Sequence, residues 1–204
     1  KKGNFAHFML KEISEEATAV ENAIRGRLIK EEGISILGGL ATIEPKLGKV
    51  KQIKIIGCGT AYFAGLLGEY LFQEYGHISS KAELASELRY KNGTSDFNTA
   101  FLAVSQSGET ADTLSAIREA RRKRALTLGV VNVVGSSIAR ETHAGVYNHA
   151  GPEIGVASTK AFVSQVAIMV LLSLFFGRRR GLSLALGKEL AEELQQIPKK
   201  MRKI

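Results

Sequence analysis

Three hydroxyl side chains, Ser105, Ser107 and Thr110, fall within the single turn Ser105-Gln106-Ser107-Gly108-Glu109-Thr110. One hydroxyl is enough to cap a helix, so the surplus points to a ligand. The apolar run Thr99–Val104 before the turn is predicted to be a buried strand. After it, Leu114 and Ile117 begin a helical spacing, with Thr110 expected to cap the first turn. A strand, a hydroxyl-rich turn and a helix aim unpaired backbone N–H groups at one spot, at the positive end of a helix dipole. Phosphate is the usual anion at such a place. No lysine follows Gly108, so this is not the GxxxxGK[ST] nucleotide loop. Neutral hydroxyls and amides suit a sugar phosphate better than a triphosphate with its magnesium.

Two further turns open predicted helices. Gly57-Cys58-Gly59-Thr60 follows the strand Ile53–Ile56, and Val156-Ala157-Ser158-Thr159 leads into a long apolar helix over 161–176. In an open parallel sheet, ligands bind beyond the C-terminal strand ends, where strand order reverses. All three turns are therefore expected around one crevice. Gly57 and Gly59 match two positions of a dinucleotide fingerprint, but Tyr62 stands where the third needs glycine or alanine. Cys58 at a helix start has the setting of a nucleophile. However, His7, His77, His143 and His149 are scattered, so it reads as a small residue in a tight turn. The histidines show no metal-ligand spacing either.

Strands and helices alternate along the chain. Phe8, Ile13, Ala17, Val20 and Ile24 predict one N-terminal helix ending near Gly26, while residues 31–52 are ambiguous. A helix over 62–75 precedes a short strand over 81–85 and a helical turn over 86–90. Strands at 126–131 and 145–148 flank a short helix capped by Ser136 or Ser137. A last helix from Ser183 carries Leu186, Leu190, Leu194 and Ile197. The alternation predicts an α/β fold: an open five-stranded parallel sheet with helices on both faces, three layers in a flavodoxin-like arrangement. The apolar helix over 161–176 spans only about 24 Å, short of a bilayer core of about 30 Å, and is expected to be buried against the sheet.

The 204 residues, 45% of them hydrophobic, fit one compact domain with helical extensions. A single cysteine fits a reducing, cytoplasmic compartment. The chain opens on Lys1 without a methionine, which reads as a piece of something longer. The net charge of +8 raises nucleic acid as a partner. Its excess lies in the blocks 121–124, 178–180 and 199–203, without interleaved aromatic residues. Helix ends facing solvent account for them, and neither nucleic acid nor membrane is expected as a partner.

The stretch 105–113, together with Cys58-Gly59-Thr60 and the stretch Glu153–Lys160, closely resembles the glutamine–fructose-6-phosphate aminotransferases, in the first sugar-isomerase (SIS) domain of their isomerase half. His7–Ile13 resembles the start of that half, and Ala85–Tyr90 another of its signatures. The resemblance covers nearly the whole chain. It implies a five-stranded SIS sheet, fructose 6-phosphate or glucosamine 6-phosphate as ligand, no cofactor, and a homodimer. It implies Ser105, Gln106, Ser107 and Thr110 on the phosphate, with Cys58, Gly59, Thr60, Val156 and Ser158 lining the sugar. Ala61 departs from it, standing where the family usually has serine. The implied division is a lead-in over 1–52, a sugar-phosphate core over 53–182, and a helix over 183–204 leading to a second SIS domain. The glutaminase domain, that second SIS domain and the C-terminal tail lie outside this sequence, so no catalytic residue is expected in it. Two other readings stand beside this one: a stand-alone SIS phosphosugar sensor, and a flavodoxin-like nucleotide module.

Overall fold

The computed structural model describes residues 2–88 and 98–204. The lead-in holds helices α1 (Phe8–Ser14) and α2 (Glu16–Ile24), a two-residue hairpin of β1 (Leu28–Ile29) and β2 (Ile34–Ser35), a 3₁₀ stretch over Gly38–Ile43, and α3 (Glu44–Leu47). The alternating part follows: β3 (Gln52–Gly57), α4 (Thr60–Glu74), β4 (Ser79–Leu84), α5 (Ala85–Leu88), β5 (Thr99–Ser105), α6 (Ala111–Arg122), β6 (Leu126–Val131), α7 (Ser137–Glu141) and β7 (Ala144–Tyr147). Helices α8 (Lys160–Arg178) and α9 (Leu184–Met201) complete the chain. The expected single N-terminal helix is two, parted at Glu15. The expected helical turn over 86–90 begins one residue earlier, and its Arg89 and Tyr90 lie outside the described residues.

Strands β3 to β7 form one parallel sheet in the order β4-β3-β5-β6-β7. The reversal of order falls between β3 and β5, the position at which flavodoxin-like sheets bind ligands. All seven residues of β5 are buried, as befits a strand paired on both sides and covered on both faces. Side chains alternate by the two-residue period of a strand. Ala100, Leu102 and Val104 join the core beneath α2, α4 and α8, while Phe101 and Ala103 join the core beneath α6.

Helix α8 is longer than the sequence indicated, 19 residues, so its length no longer argues against a membrane span. Its burial does: 78% of its most apolar window lies inside the fold, as in a core helix. The basic blocks at the ends of α6 and α8 are engaged within the molecule. Arg121 donates to the Glu141 carbonyl and Arg122 meets Glu119 at 2.8 Å. Arg179 reaches Glu44 at 2.9 Å, and Arg180 donates to the carbonyls of Leu47 and Val50 at 3.2 and 3.0 Å.

Close backbone approach sets how tightly these layers stack. A Cβ on Gly177 of α8 would stand 1.9 Å from the Tyr75 carbonyl oxygen, just past the end of α4. Gly177→Ala is expected to cost about 1–3 kcal/mol of stability through overpacking, read as a lower urea midpoint.

A second prediction concerns pH. The Nδ1 of His143 accepts from the Thr127 amide at 3.1 Å and lies 2.8 Å from its hydroxyl. Burial, then the charges of Arg121 and Lys46, hold this imidazole below its ordinary range, although the residue retains an exposed part. The unfolded chain then binds the proton more readily. Its contribution is complete above about pH 6.5, the ordinary histidine value, and is lost as pH falls through the lower folded value. Urea midpoints should therefore drop on acidification from neutral, and His143→Asn should make that drop shallower.

Candidate functional site

The turn after β5 is built by its own hydroxyls. Ser105 Oγ accepts from the Gly108 amide at 3.0 Å and lies 3.0 Å from Thr110 Oγ1, while Ser107 Oγ accepts from the Glu109 amide at 3.1 Å. Thr110 stands at the N-cap of α6, but its side chain makes no cap hydrogen bond, contrary to expectation. Its hydroxyl is turned to Ser105 instead. The first-turn amides of α6 are thus left without a side-chain cap, as an anion site requires. Ser105 is buried beneath the turn, whereas Gln106, Ser107 and Thr110 are partly exposed along it. Gly108 has φ of +68°, in the left-handed region that glycine enters without steric cost.

The turn after β3 lies alongside. Cys58 Sγ is 3.9 Å from Thr113 Oγ1 on the first turn of α6. Gly59 has φ of +57° and occupies the N-cap of α4, again with no side-chain cap. A Cβ on Gly57 would come within 3.0 Å of the Ala61 carbonyl carbon and the Tyr62 amide. The close approach of strand to helix is made at Gly57, not at the position of Tyr62. Ala61 itself is buried in the first turn of α4.

The start of the loop that leads to the third segment, at Ala150 and Gly151, is drawn to the same rim by Asn132, a residue whose role the sequence did not announce. Its amide donates to the Gln106 carbonyl at 3.3 Å. Its side chain accepts from the Ala150 amide at 2.8 Å and donates to the Gly151 carbonyl at 2.7 Å. Gln106, Asn132, His149 and Glu153 line an open cleft of about 490 Å³ there. Beyond it, the chain departs from the expectation of a hydroxyl-rich helix start. The N-terminus of α8 is filled by the Glu153 carboxylate, which accepts from the amides of Thr159 and Ala161 at 2.9 and 3.3 Å and from the Ser158 hydroxyl at 2.9 Å. Ser158 is therefore engaged by Glu153, and Val156 is fully exposed.

Helix α7 is satisfied in the same way. Neither Ser136 nor Ser137 caps it; the Glu109 carboxylate accepts from the Ser137 amide at 2.8 Å. Hydrogen bonds from Ser137 hold that carboxyl below the usual carboxylate range. Two helix starts at this rim are thus closed by carboxylates that accept from their amides, while those of α4 and α6 have no side-chain cap, although Asp112 stands in the first turn of α6. A carboxylate ahead of an apolar helix is a legible cap signal for Glu153. Glu109 caps a helix 28 residues away, which no local pattern reveals.

The Ser136 hydroxyl is buried under Gly108 without a partner among the described residues, and a Cβ on residue 108 would stand 2.0 Å from it. Gly108→Ala is expected to cost about 1–2 kcal/mol for the left-handed backbone plus a steric penalty. In a double-mutant cycle by urea unfolding, Ser136→Gly should recover the steric part and leave the backbone part.

A model of the SIS domain matches residues 46–175. The glutamine–fructose-6-phosphate aminotransferase (isomerizing) of Chlorobaculum tepidum is 46% identical over 201 residues, covering 98% of this chain and 33% of the relative. A Thermus thermophilus enzyme of the same name is 45% identical over 205 residues, with 100% and 33% covered. This chain thus spans about a third of the length of these relatives. Among solved structures, the C-terminal domain of glucosamine-fructose-6-phosphate aminotransferase from Francisella tularensis superposes with a TM-score of 0.90 at 34% identity, over 98% of this chain and 56% of that one. A phosphosugar isomerase fold from Silicibacter pomeroyi superposes at 0.74 with 22% identity, over 95% of this chain and 55% of that one, which extends the likeness of fold alone. The parallel order, the rim of helix starts and the matched span agree: this chain belongs to the SIS domain family.

Proposed function

We propose that this chain is the fructose-6-phosphate-binding SIS unit of an isomerizing glutamine–fructose-6-phosphate aminotransferase, acting in the cytoplasm in glucosamine 6-phosphate synthesis. Residues 53–182 form its sugar-phosphate core, with 1–52 as lead-in and 183–204 leading toward a second SIS domain. The observation that carries the reading is the uncapped start of α6, ringed by Ser105, Ser107 and Thr110, beside helix starts already filled by Glu153 and Glu109. A phosphate dianion there gains the α6 dipole, free amides and hydroxyl donors together. Gln106 contributes from the cleft side. Cys58, Gly59 and Thr60 flank the sugar from the turn after β3, and Val156 and Ser158 flank it from the loop ahead of α8.

Ala61 supplies no hydroxyl, so the sugar-facing contacts from α4 rest on Thr60. Arg122 at the end of α6 and Arg179 at the end of α8 pair with Glu119 and Glu44, which supports a small-molecule ligand over nucleic acid. The chain positions substrate without turning it over, because ring opening and isomerisation belong to groups in the remaining two thirds of such an enzyme. It works as a homodimer.

Calorimetric titration with fructose 6-phosphate tests this. Ser107→Ala and Thr110→Ala should each cost about 1–3 kcal/mol of binding, the worth of a hydrogen bond to a charged group. Inorganic phosphate should compete with the sugar. Unchanged affinity in both variants, or no competition, would overturn the placement.

A further inference from the structure

Helix α1 is rich in apolar residues, yet Met9, Leu10 and Ile13 are exposed, and the one residue it buries is a carboxylate, Glu12, at 2% exposure. Burying a charge is costly unless hydrogen bonds replace its water. Here the replacements come from a loop 142 residues away in sequence. Glu12 Oε1 accepts from the Ile154 amide at 2.6 Å and the Gly155 amide at 3.2 Å, and Oε2 accepts from the Gly155 amide at 3.1 Å. A Cβ on Gly155 would stand 2.6 Å from Oε2, so the carboxylate rests directly on the glycine backbone. This loop joins the rim at Gly151 to α8 and carries Val156 and Ser158.

Packing does not hold the middle of the loop in place, and the bonds of Glu153 fix only its far end, at Ser158, Thr159 and Ala161. Ile154 and Val156 are exposed, and behind the contact lies a cavity of about 410 Å³ lined in part by Phe8, Asn22 and Pro152. An ion-pair cluster lies beside the contact. Glu15, one helical turn beyond Glu12, pairs with Lys11 and meets the buried Lys160 ammonium at 2.7 Å, and these two lysines hold its carboxyl below the usual range. The loop is therefore pinned to the lead-in at two points, Glu12 at its middle and Glu15 at its end.

Resting on the sugar-phosphate reading above, we infer that Glu12 is a positioning residue: it fixes the loop of Val156 and Ser158 against the sugar, while the phosphate turn after β5 is built independently of it. Removing the carboxylate then weakens sugar recognition selectively. A general loss of structure would weaken both ligands together.

The test is titration of the 204-residue chain with fructose 6-phosphate and, separately, with inorganic phosphate. Glu12→Ala and Gly155→Ala should each lower fructose 6-phosphate affinity by about tenfold, the equivalent of one or two lost hydrogen bonds, with phosphate affinity held within about twofold. Glu12→Gln, which keeps one acceptor oxygen, should fall between wild type and Glu12→Ala. Equal losses for both ligands, or no loss for the sugar, would overturn the inference. Gly155→Ala approaches the contact from the exposed loop and carries the test if Glu12→Ala fails to fold. Amide exchange at Ile154 and Gly155 separates this inference from the reading it rests on. Slow exchange in wild type that becomes fast in Glu12→Ala supports the pinning even if the wild-type chain binds phosphate and no sugar, a result that would sink only the functional reading. Exchange equally fast in both chains would sink the pinning.

Discussion

Parallel pairing is the constraint on which the rest of this structure depends. It sends every strand in the same direction, so each strand-to-helix turn of the sheet opens on one rim, with the unsatisfied amides of a helix start facing outward. Those amides need partners. The chain answers some of them with its own carboxylates, Glu153 at α8 and Glu109 at α7, and uses Glu12 for the loop between them. At α6 the hydroxyls of the preceding turn shape that turn instead of capping the helix. The difference between a filled helix start and an open one is what marks the candidate site: the start of α6 has no side-chain cap, although Asp112 stands in its first turn.

The two cores keep that rim in place. Because β5 sends alternate residues to opposite faces, the layer of α2, α4 and α8 and the layer of α6 and α7 are locked to the same strand. Glycines set the spacing at the points of closest approach. Gly65 and Gly68 let α4 settle onto Ile55 and Met169, and Gly177 lets α8 reach the carbonyl of Tyr75. Cys58 and Thr113 meet across the sheet's reversal point because these layers hold their helices close to the central strands.

The fold was legible wherever a local pattern decided it. The unbroken apolar run of β5 announced a central strand, and the alternation with helices announced parallel pairing. The sequence was less informative where long-range contacts decide. Helices α1 and α2 read as one because their apolar spacing is continuous, yet α1 is pulled onto the loop after Gly151 by Glu12, and the chain breaks at Glu15. The hairpin of β1 and β2 is two residues per strand, too short for any periodicity to register. The hydroxyls of the candidate site were visible because they sit in six consecutive residues. The roles of Asn132, Glu109 and Glu12 were not, because each acts on backbone distant in sequence. Thr110 illustrates the limit of a local rule: it stands at the cap position, and a nearby serine takes its hydroxyl.

The lead-in also determines what the sheet can do at its margin. Gly39, in the 3₁₀ stretch, lies so close to β7 that a Cβ there would stand 2.0 Å from the Gly145 carbonyl oxygen. Strand β7 is the terminal member of the sheet, and a terminal strand with free carbonyls is a template for another chain to extend. Here that carbonyl is already covered by the protein's own backbone. An invading segment would first have to peel the lead-in away, so the residues preceding the sheet guard it against fibrous growth.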